Sequence, residues 1–509
     1  MARVYSNRLS EYTHENGGRV ILLFLLFALA IYLFINAGFS AFAIICLSPL
    51  AILFVYAAFK WKMGVFWSLI IVNWFIMNRN FSLPFPASLA DESLELLLVA
   101  MAIIDVRNTP HFGRAWNLMF LAIMIWCGLC VIEILNDTCG LGMNVNAWFI
   151  GFRLMALHLV WIILVFSLYI TDPKSLTLYL RLWAGLSLFS ALYTWKMIHI
   201  GLTATENAWL YSPNNHTHLL NAGTLIRYWS TFNDAASYGC NASASAVAFL
   251  IFGITSKVKF DKIFFLLTAA IVIWGMFQSG TRTAMITLIA GFIVFLFLSK
   301  SVKILVPCAI IGGIFLFILI FTNIGSGNQQ IRRMRSAFDK NDASANVRDI
   351  NKAAIAKYMK EAPWGIGIGM LSKDIPAWNK YKKLSDIPPD SEYVYIWVRT
   401  GAIGVTIFTC CMVMILLGGC IIVLFRLKSP SLIGIGGGLC AAFVSIHLGG
   451  YANQILYMYP NGLTFFGGMA IVYLLPYIEP EWIKYEESRL AKIEEKKRLK
   501  LEKKLASRV

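Results

Sequence analysis

Charged residues are scarce in this chain of 509 residues. Asp, Glu, Lys and Arg make up 14% of it, against about 25% in ordinary soluble domains. Hydrophobic residues make up 58%, and the mean hydropathy is +0.67. This deficit of charge excludes a soluble globular protein. Apolar runs recur from Arg19 to Ile478, and runs of about 18 residues or more are long enough to cross a bilayer. The composition predicts an all-α polytopic membrane protein.

Signals for metal or redox chemistry are also sparse. The close pair His216 and His218 has no nearby Cys and no evident third ligand, so we expect neither a metal ion nor another cofactor. Most of the ten Cys lie in apolar runs, where a thiol behaves as a small hydrophobic group. The exceptions, Cys139 and Cys240, lie near one predicted surface, and the sequence leaves open whether they pair.

Apolar runs separated by polar breaks predict about 12 to 14 transmembrane helices. We expect the first run, Val20 to Phe34, to be a span rather than a cleavable signal, because another apolar segment follows at once. The candidate spans lie near 19–36, 38–59, 63–78, 87–106, 116–135, 152–171, 178–200, 237–256, 262–278, 283–299, 304–322, 393–425, 431–448 and 461–478.

Lys and Arg predict the orientation, because loops kept in the cytoplasm carry the excess of positive charge. With the N-terminus inside, the short cytoplasmic segments hold sixteen Lys and Arg, and the opposite short loops hold four. Both termini are therefore expected in the cytoplasm. The tail 479–509 has ten Lys and Arg against seven Glu, which suits the surface of anionic membrane lipids. We expect this tail to be an amphipathic or solvated helix. The net charge of +17 reflects mainly topology, so no nucleic acid partner is inferred.

One outer loop, residues 323–392, is far longer than the others. Loops of this length are usually functional. Its stretch 345–362 has apolar residues at helical spacing and ends at Pro363, and a second helix is expected near 329–338. The sequence thus predicts four parts: transmembrane helices with short loops (1–322), a partly helical cap (323–392), further transmembrane helices (393–478) and a basic cytoplasmic tail (479–509).

Arginines in outer loops are the strongest candidates for chemistry. A positive charge in an outer loop runs against the orientation rule, so we expect a reason other than membrane insertion for its presence. Guanidinium groups bind phosphate in bidentate fashion and stay charged at low dielectric. For any single arginine, snorkelling or a salt bridge with Asp234, Glu206 or Asp349 is the alternative. The set predicts an anion clamp, and its candidates are Arg79, Arg153, Arg227, Arg282, Arg332, Arg333, Arg335 and Arg348.

Carboxylates follow at the end of the long loop. Asp390 and Glu392 stand where a water-filled cavity would meet the membrane, and one of them could serve as general base for a hydroxyl. The alternative is that Asp390 or Ser391 caps a helix and the early acid complements its dipole. Secondary cavity candidates are Glu133, Lys196 and Glu95.

A glycine-rich stretch, Pro363 to Gly369, precedes these carboxylates. Glycines there would let the backbone approach a ligand closely. The stretch follows a helix and precedes no clear strand, so nucleotide binding is not expected. By composition alone it is a turn.

Together these residues resemble bacterial O-antigen polymerases and O-antigen ligases, the membrane glycosyltransferases of surface polysaccharide assembly. The resemblance covers roughly residues 220–420 and follows the order of the family's motifs. Its four pieces are Arg227 with Ser230-Thr231-Phe232-Asn233, Ser279-Gly280-Thr281-Arg282-Thr283-Ala284, Arg348 with the run Pro363 to Gly369, and Ser391 with Gly401 and Gly404.

The sequence departs from the ligase pattern at one position. The histidine of that pattern is Asp390 here. Because that histidine is associated with ligase action, its absence favours a polymerase, although a ligase that uses a carboxylate stays an alternative.

The resemblance implies a GT-C-like helical enzyme that transfers a glycan from undecaprenyl diphosphate at the periplasmic face of the inner membrane. The expected reaction inverts the sugar and uses no metal. A flippase and a chain-length regulator are the implied partners. Asp390, Glu392 and Arg282 are the expected catalytic residues. The diphosphate or glycan is expected to bind Arg227, Arg282, Arg348, Arg153, Arg332 and Arg335.

Two other classes of function compete with this interpretation. A transporter of lipid-linked sugars would show internal repeats and broken helices near the bilayer midplane, and the sequence shows no clear repeat. A membrane scaffold would explain the spans but not the outer arginines.

Overall fold

The structure is a computed structural model. It describes residues 59–80, 87–105, 112–212, 225–299, 302–327, 329–335 and 343–506, with single residues and short stretches before 59 and between 213 and 224. Contacts divide the chain into two units, residues 1–65 and 66–509. The candidate spans near 19–36 and 38–59 lie largely outside the described residues. The helices from Lys62 onward belong to the second unit, apart from the first turn of the first of them.

The described chain is almost entirely helical, as the composition predicts. The apolar helices in chain order are α1 (Lys62–Phe75), α2 (Ala87–Ile104), α4 (Leu118–Ile132), α5 (Val145–Phe152) continued through a π turn into α6 (His158–Tyr169), α7 (Pro173–His199), α9 (Ala235–Thr255), α10 (Lys259–Gln278), α11 (Arg282–Leu298), α12 (Val302–Phe321), α16 (Glu392–Ile421), α17 (Pro430–Ala452) and α18 (Asn461–Ala506). Within the described residues, eight helices are long and apolar enough to cross a membrane. The prediction of an all-α polytopic membrane protein is confirmed.

Shorter elements connect these helices. They are α3 (Phe112–Ala115), α8 (Ala204–Leu210), the antiparallel strands β1 (Leu219–Leu220) and β2 (Leu225–Ile226), α13 (Gln329–Arg335), α14 (Ala343–Met359) and α15 (Lys382–Asp386). The two helices predicted in the long loop correspond to α13 and α14. The small hairpin β1–β2 was not predicted, and it leads directly into Arg227.

Two of the most enclosed helices are built from small residues. In α9 and α17, 83% of the apolar window is buried, and both are rich in Ala, Ser and Gly. Small side chains let helix backbones approach closely in a membrane. Hydrogen bonds then join neighbours across the contact, as when Ser445 donates to the carbonyl of Thr287 at 2.8 Å.

The cap, residues 343–391, has a small hydrophobic core of its own. Ile355, Met359, Tyr381 and Leu384 are buried there. The helix predicted at 345–362 is confirmed as α14, although its first apolar residues are exposed. The predicted apolar face therefore packs only along its second half.

The helix α16 is broken at Gly401, which has φ 67° and ψ −170°. The glycine-rich stretch explains the break, because its backbone docks there. Ile366 N donates to Val398 O at 2.9 Å, and Gly367 N donates to Arg399 O at 3.0 Å. The stretch predicted as a turn therefore joins the cap to the membrane helix.

The last helix continues from the membrane segment into the basic tail. Arg489 of this helix pairs with Asp261 at 2.6 Å, and Glu486 pairs with Lys257 at 2.7 Å. The predicted tail helix is thus an extension of α18, and its first turns are held by ion pairs to the start of α10.

Candidate functional site

A tight turn between α10 and α11 forms the floor of the candidate site. Gly280 has φ 57°, a conformation in which glycine carries no side-chain penalty. Arg227 reaches this turn with Nε at 3.4 Å from Ser279 O and Nη2 at 3.2 Å from Thr281 Oγ1. Arg333 approaches from α13, and its Nε donates to Gly280 O at 2.5 Å. Backbone carbonyls therefore orient two guanidinium groups beside Arg282.

These arginines form a cluster of like charge, which we call the arginine cluster: Arg227, Arg282, Arg333 and Arg348. Burial lowers the pKa of Arg227; the carboxylate of Asp234 opposes that shift, and the charges of Arg282 and Arg348 add to it. Burial and the charges of Arg227 and Arg282 lower the pKa of Arg333 to about 10. The like charges of this cluster repel one another, and a bound anion would relieve that repulsion.

The nearby acid Asp234 offers one negative charge against the four arginines and has a structural role as well. Its Oδ1 accepts hydrogen bonds from the backbone N–H groups of Ala236 and Ser237, at 2.7 and 2.8 Å. It is therefore the N-cap of α9. Glu206, another proposed salt-bridge partner, is engaged by Lys196 at 3.4 Å and by the hydroxyl of Tyr193 at 2.6 Å.

A cavity of about 350 Å³ opens beside the cluster. Arg348 belongs to both, because it lines the cavity and also acts electrostatically on Arg227 and Arg282. Aromatic side chains form part of the wall, and these suit the apolar faces of sugar rings. The residues that line the cavity include Arg348, Asp349, Lys352, Asp390, Ser391, Tyr393, Trp397 and Tyr451.

Asp390 faces this cavity from a left-handed backbone position, with φ 53°. Its Oδ2 accepts a hydrogen bond from Asn351 Nδ2 at 2.7 Å. The next residue, Ser391, does not cap α16 with its side chain. Its hydroxyl donates to Gly450 O at 3.3 Å instead. Asp390 is thus a supported carboxylate at the cavity wall.

Glu392 has a different environment. It is 4% exposed, and its Oε2 accepts a hydrogen bond from Leu456 N at 2.9 Å. The backbone N–H groups of Ile455 and Tyr457 also donate to it. Three consecutive peptide groups therefore occupy this carboxylate, which holds the connection between α17 and α18 in place.

That connection, residues 453–460, is called the 453–460 loop. At its start, Asn453 Oδ1 accepts a hydrogen bond from Arg348 Nη2 at 3.4 Å. Near its end, the ring of Tyr459 lies 6.2 Å from that of His158. The loop thus connects the cavity wall with the start of α6.

The remaining predicted arginines lie elsewhere. Arg332 is exposed, and Arg335 donates to Ser326 and to the carbonyl of Ile324. Arg153 pairs with Glu92 at 3.4 Å. Arg333, which was among the candidates for the clamp but not in the narrower substrate-binding set, is the α13 arginine that reaches the cluster.

The secondary candidates have structural partners. Glu133 is buried and accepts a hydrogen bond from Asn136 at 2.8 Å.

The histidine pair and the two cysteines were also considered in the sequence. His218 Nε2 accepts a hydrogen bond from Ala235 N at 3.3 Å, while His216 lies outside the described residues. Cys139 and Cys240 are both free thiols. Burial raises the pKa of Cys139 to about 11, so its thiol is protonated at neutral pH.

Two contributors to the site were missed in the sequence. Asn351 and Asn453 support Asp390 and Arg348, and ordinary Asn residues carry no motif that would reveal this. Arg333 was a candidate for the clamp, but nothing in the sequence set it apart from Arg332 and Arg335. A third feature, the approach of His158 to Asp91 and Glu95, joins segments 63 positions apart, and of these three residues only Glu95 was a candidate.

The helices and the arginine cluster define a polytopic membrane protein with a cationic site beside its cap. A protein-family model described as O-antigen ligase matches residues 244–409, about a third of the chain. Over these residues the chain is similar to that family, which supports the resemblance of its motifs to O-antigen polymerases and ligases and an enzyme of the glycosyltransferase type. Three of the four motif pieces lie within the match, and Arg227 lies before it. The chain has no match among curated proteins.

Proposed function

We propose that this protein is an O-antigen polymerase. It would join oligosaccharide repeat units that are carried on undecaprenyl diphosphate, at the periplasmic face of the inner membrane. The observation that carries the proposal is the position of Arg348, which belongs to a cluster of four arginines and also lines the cavity that contains Asp390. Arg348 thus belongs to the candidate anion site and also lines the cavity of the candidate base Asp390.

The reaction is a substitution at the anomeric carbon of the donor glycan. A hydroxyl oxygen of the acceptor attacks this carbon, and the bond between the carbon and the diphosphate oxygen breaks. The hydroxyl proton passes to the carboxylate of Asp390, and undecaprenyl diphosphate leaves with the electron pair. Attack opposite to the leaving group inverts the anomeric centre.

The arginine cluster would promote departure of the diphosphate. Negative charge develops on the bridging oxygen as the bond breaks, and cationic donors held in place stabilise that charge without reorganising. Arg227 and Arg333 are already oriented by carbonyl groups of the 279–281 turn. Arg282 would complete the diphosphate site, and Arg348 would support the leaving group or the second lipid-linked glycan.

Asp390 would orient and deprotonate the acceptor. Its hydrogen bond from Asn351 directs one carboxylate oxygen, which leaves the other for a hydroxyl group in the cavity. Glu392 would act indirectly, because it is occupied by the 453–460 loop. Tyr393, Trp397 and Tyr451 would contact the sugar rings.

Ligase activity is the second candidate, because the matching family model is described as O-antigen ligase. A ligase would transfer the carrier-linked glycan to lipid A core or to a protein hydroxyl. The chemistry at the donor would be the same, and Asp390 would replace the histidine of the ligase pattern. Only the acceptor distinguishes the two activities.

A deletion strain separates them. Surface glycans of the deletion and parent strains are compared on a gel, with the gene restored on a plasmid as control. A polymerase predicts loss of the ladder, with a single repeat unit left on the lipid A core. Loss of all glycan from the core, with carrier-linked polymer accumulating, would identify a ligase. An unchanged ladder in the deletion strain would contradict both.

A further inference from the structure

A second cluster of ionisable groups lies apart from the arginine cluster, at the starts of α2 and α6. His158 stands between two carboxylates. Its Nδ1 is 3.1 Å from Glu95 Oε2, and its Nε2 is 3.9 Å from Asp91 Oδ2. Asp91 and Glu95 are both 0% exposed. One ligand atom from each of these three residues lies within 4.8 Å of the others. We call them the His158 triad.

Each ring or carboxylate of the triad is oriented by a neighbour. Asn73 Nδ2 donates to Asp91 Oδ1 at 2.9 Å, which leaves Oδ2 facing the histidine. In the tautomer in which His158 Nδ1 donates to Glu95, the lone pair of Nε2 faces Asp91. A histidine whose second nitrogen donates to a carboxylate is the usual arrangement around a protein-bound metal.

The distance between Nε2 and Asp91 Oδ2 also fits an ion. At 3.9 Å it is too long for a hydrogen bond. Two ligand atoms that each lie about 2.0–2.2 Å from one metal ion can be separated by up to roughly 4 Å. The gap between the two atoms therefore has the width that a small divalent cation would span.

Charge in this cluster is unbalanced. Glu92 adds a third carboxylate, and Arg153 is the cation that pairs with it, at 3.4 Å. Three carboxylates thus stand beside one guanidinium and one imidazole. Among the described residues, no hydrogen-bond donor reaches Asp91 Oδ2, Glu92 Oε1 or Glu95 Oε1. Buried carboxylates without partners are costly, and a divalent cation would satisfy several of these oxygens at once.

We propose that the His158 triad binds a divalent metal ion. One imidazole nitrogen with carboxylate oxygens is a mixed donor set: imidazole suits zinc, and carboxylate suits manganese. Calcium is disfavoured, because it takes six to eight oxygen ligands. The expected occupant is Mn²⁺ or Zn²⁺. This proposal does not depend on the proposed glycosyl transfer.

The ion would have a structural role. It would join α2 to α6 beneath the 453–460 loop, where the ring of Tyr459 lies against His158. The same loop carries Asn453, the partner of Arg348. Metal binding would thus stabilise the support of the cavity wall without contacting the reacting groups.

The test measures metal content in the full-length protein, purified in lipid nanodiscs. The protein is stripped with chelator, incubated with Mn²⁺ or with Zn²⁺, dialysed, and analysed by mass spectrometry for metals. We expect about one ion per chain in the parent protein. Asp91→Asn and His158→Gln should each lower that content at least tenfold. Glu133→Gln is the matched control, because Glu133 is a buried acid outside the triad, and it should keep the ion.

A second measurement covers the case in which the triad variants do not fold. Electron paramagnetic resonance of the parent protein loaded with Mn²⁺ should show hyperfine coupling to one imidazole nitrogen. Absence of stoichiometric Mn²⁺ and Zn²⁺ from folded parent protein would overturn the proposal and indicate that protons alone neutralise the cluster. Full retention of metal by folded Asp91→Asn and His158→Gln proteins would also overturn it.

Discussion

Asn351 donates a hydrogen bond to Asp390 at 2.7 Å from a position one helical turn after Arg348. Residues three apart lie on the same face of a helix, so one face of α14 presents a cation to the cavity and supports its carboxylate. The cap is therefore part of the proposed active site.

Arg282→Ala should abolish polymer in cells while the protein level persists. Loss of one preorganised donor to a developing anion typically costs a factor of about 10²–10³ in rate. The measurement is the glycan ladder on a gel, with the protein detected by immunoblot. Arg282→Lys should restore only a small part of the activity, because Lys lacks the bidentate geometry. Normal chain lengths in Arg282→Ala would remove this residue from the mechanism.

Arg333→Ala should shorten or abolish the ladder, whereas Arg332→Ala should leave it close to normal. The two arginines are neighbours on α13, but Arg333 bonds the carbonyl of Gly280 and Arg332 is exposed. The pair is a matched test of the arginine cluster, with glycan length compared at equal expression. Equal defects in both variants would show that the general charge of α13 matters rather than the contact.

Asp390→Asn should remove activity without unfolding the protein. Asn tolerates the left-handed backbone of this position, so the substitution changes the base and little else. Asp390→Gly removes the carboxylate with no backbone strain and should behave alike. Both proteins should elute as monodisperse particles and melt within about 2 °C of the parent, since surface changes of this kind cost little.

Glu392→Gln should differ from these two variants in stability. The neutral amide accepts hydrogen bonds more weakly than the carboxylate that now binds Leu456 N, and charge-assisted bonds are roughly twice as strong as neutral ones. We expect a lower melting temperature together with reduced activity. A stable but inactive Glu392→Gln protein would assign Glu392 to catalysis instead.

Gly401→Ala should destabilise the protein by about 1–3 kcal/mol or prevent its accumulation. The position has φ 67°, and an added Cβ would lie 1.8 Å from Pro363 O. Gly185→Ala is the control, because that helical glycine has open space around it and Ala favours helices. Thermal unfolding in detergent checks both. Equal melting temperatures would contradict the tight docking of the glycine-rich stretch.

Stability should fall as the pH drops below about 6.5. Burial lowers the pKa of His218 from 6.5 to about 4, and the charge of Arg227 adds to this shift. The unfolded state therefore binds more protons than the native state between pH 6.5 and about pH 4. The free energy of unfolding falls by up to about 3 kcal/mol across this range. Melting temperatures at pH 7.5 and pH 5.5 check this. His218→Gln, which keeps an acceptor for Ala235 N, should show a smaller difference. Equal pH sensitivity of the two proteins would exclude this role.

Helices were predictable from the sequence because a bilayer imposes length and hydropathy on each span. The start of α9 after Asp234 and the end of α14 before Pro363 also follow local chemistry. The break at Gly401 did not, since it depends on backbone groups of residues 363–369 that are distant in sequence. The sequence of α16 is an apolar run interrupted by four glycines, and such a run is interpreted as a continuous span.

The candidate site was only partly predictable for a similar reason. Arg227 and Arg282 stand out because the short loops on the predicted outer side hold few positive charges, and Arg348 stands out because it matches a motif of the family that the sequence resembles. The distinction between Asp390 and Glu392 depends on the 453–460 loop, whose backbone N–H groups donate to Glu392. Local sequence places both carboxylates at the same helix end, and tertiary contacts give them different surroundings.

The 453–460 loop bears on how genetic screens of this protein should be interpreted. It touches Arg348 at one end, Glu392 in the middle and His158 at the other. Unbiased mutagenesis should therefore return loss-of-function substitutions in this short stretch about as often as in the arginines themselves. Such hits would report displaced neighbours rather than lost glycan contacts. Suppressor mutations of those hits are expected on three different helices, since each contact offers its own route to compensation.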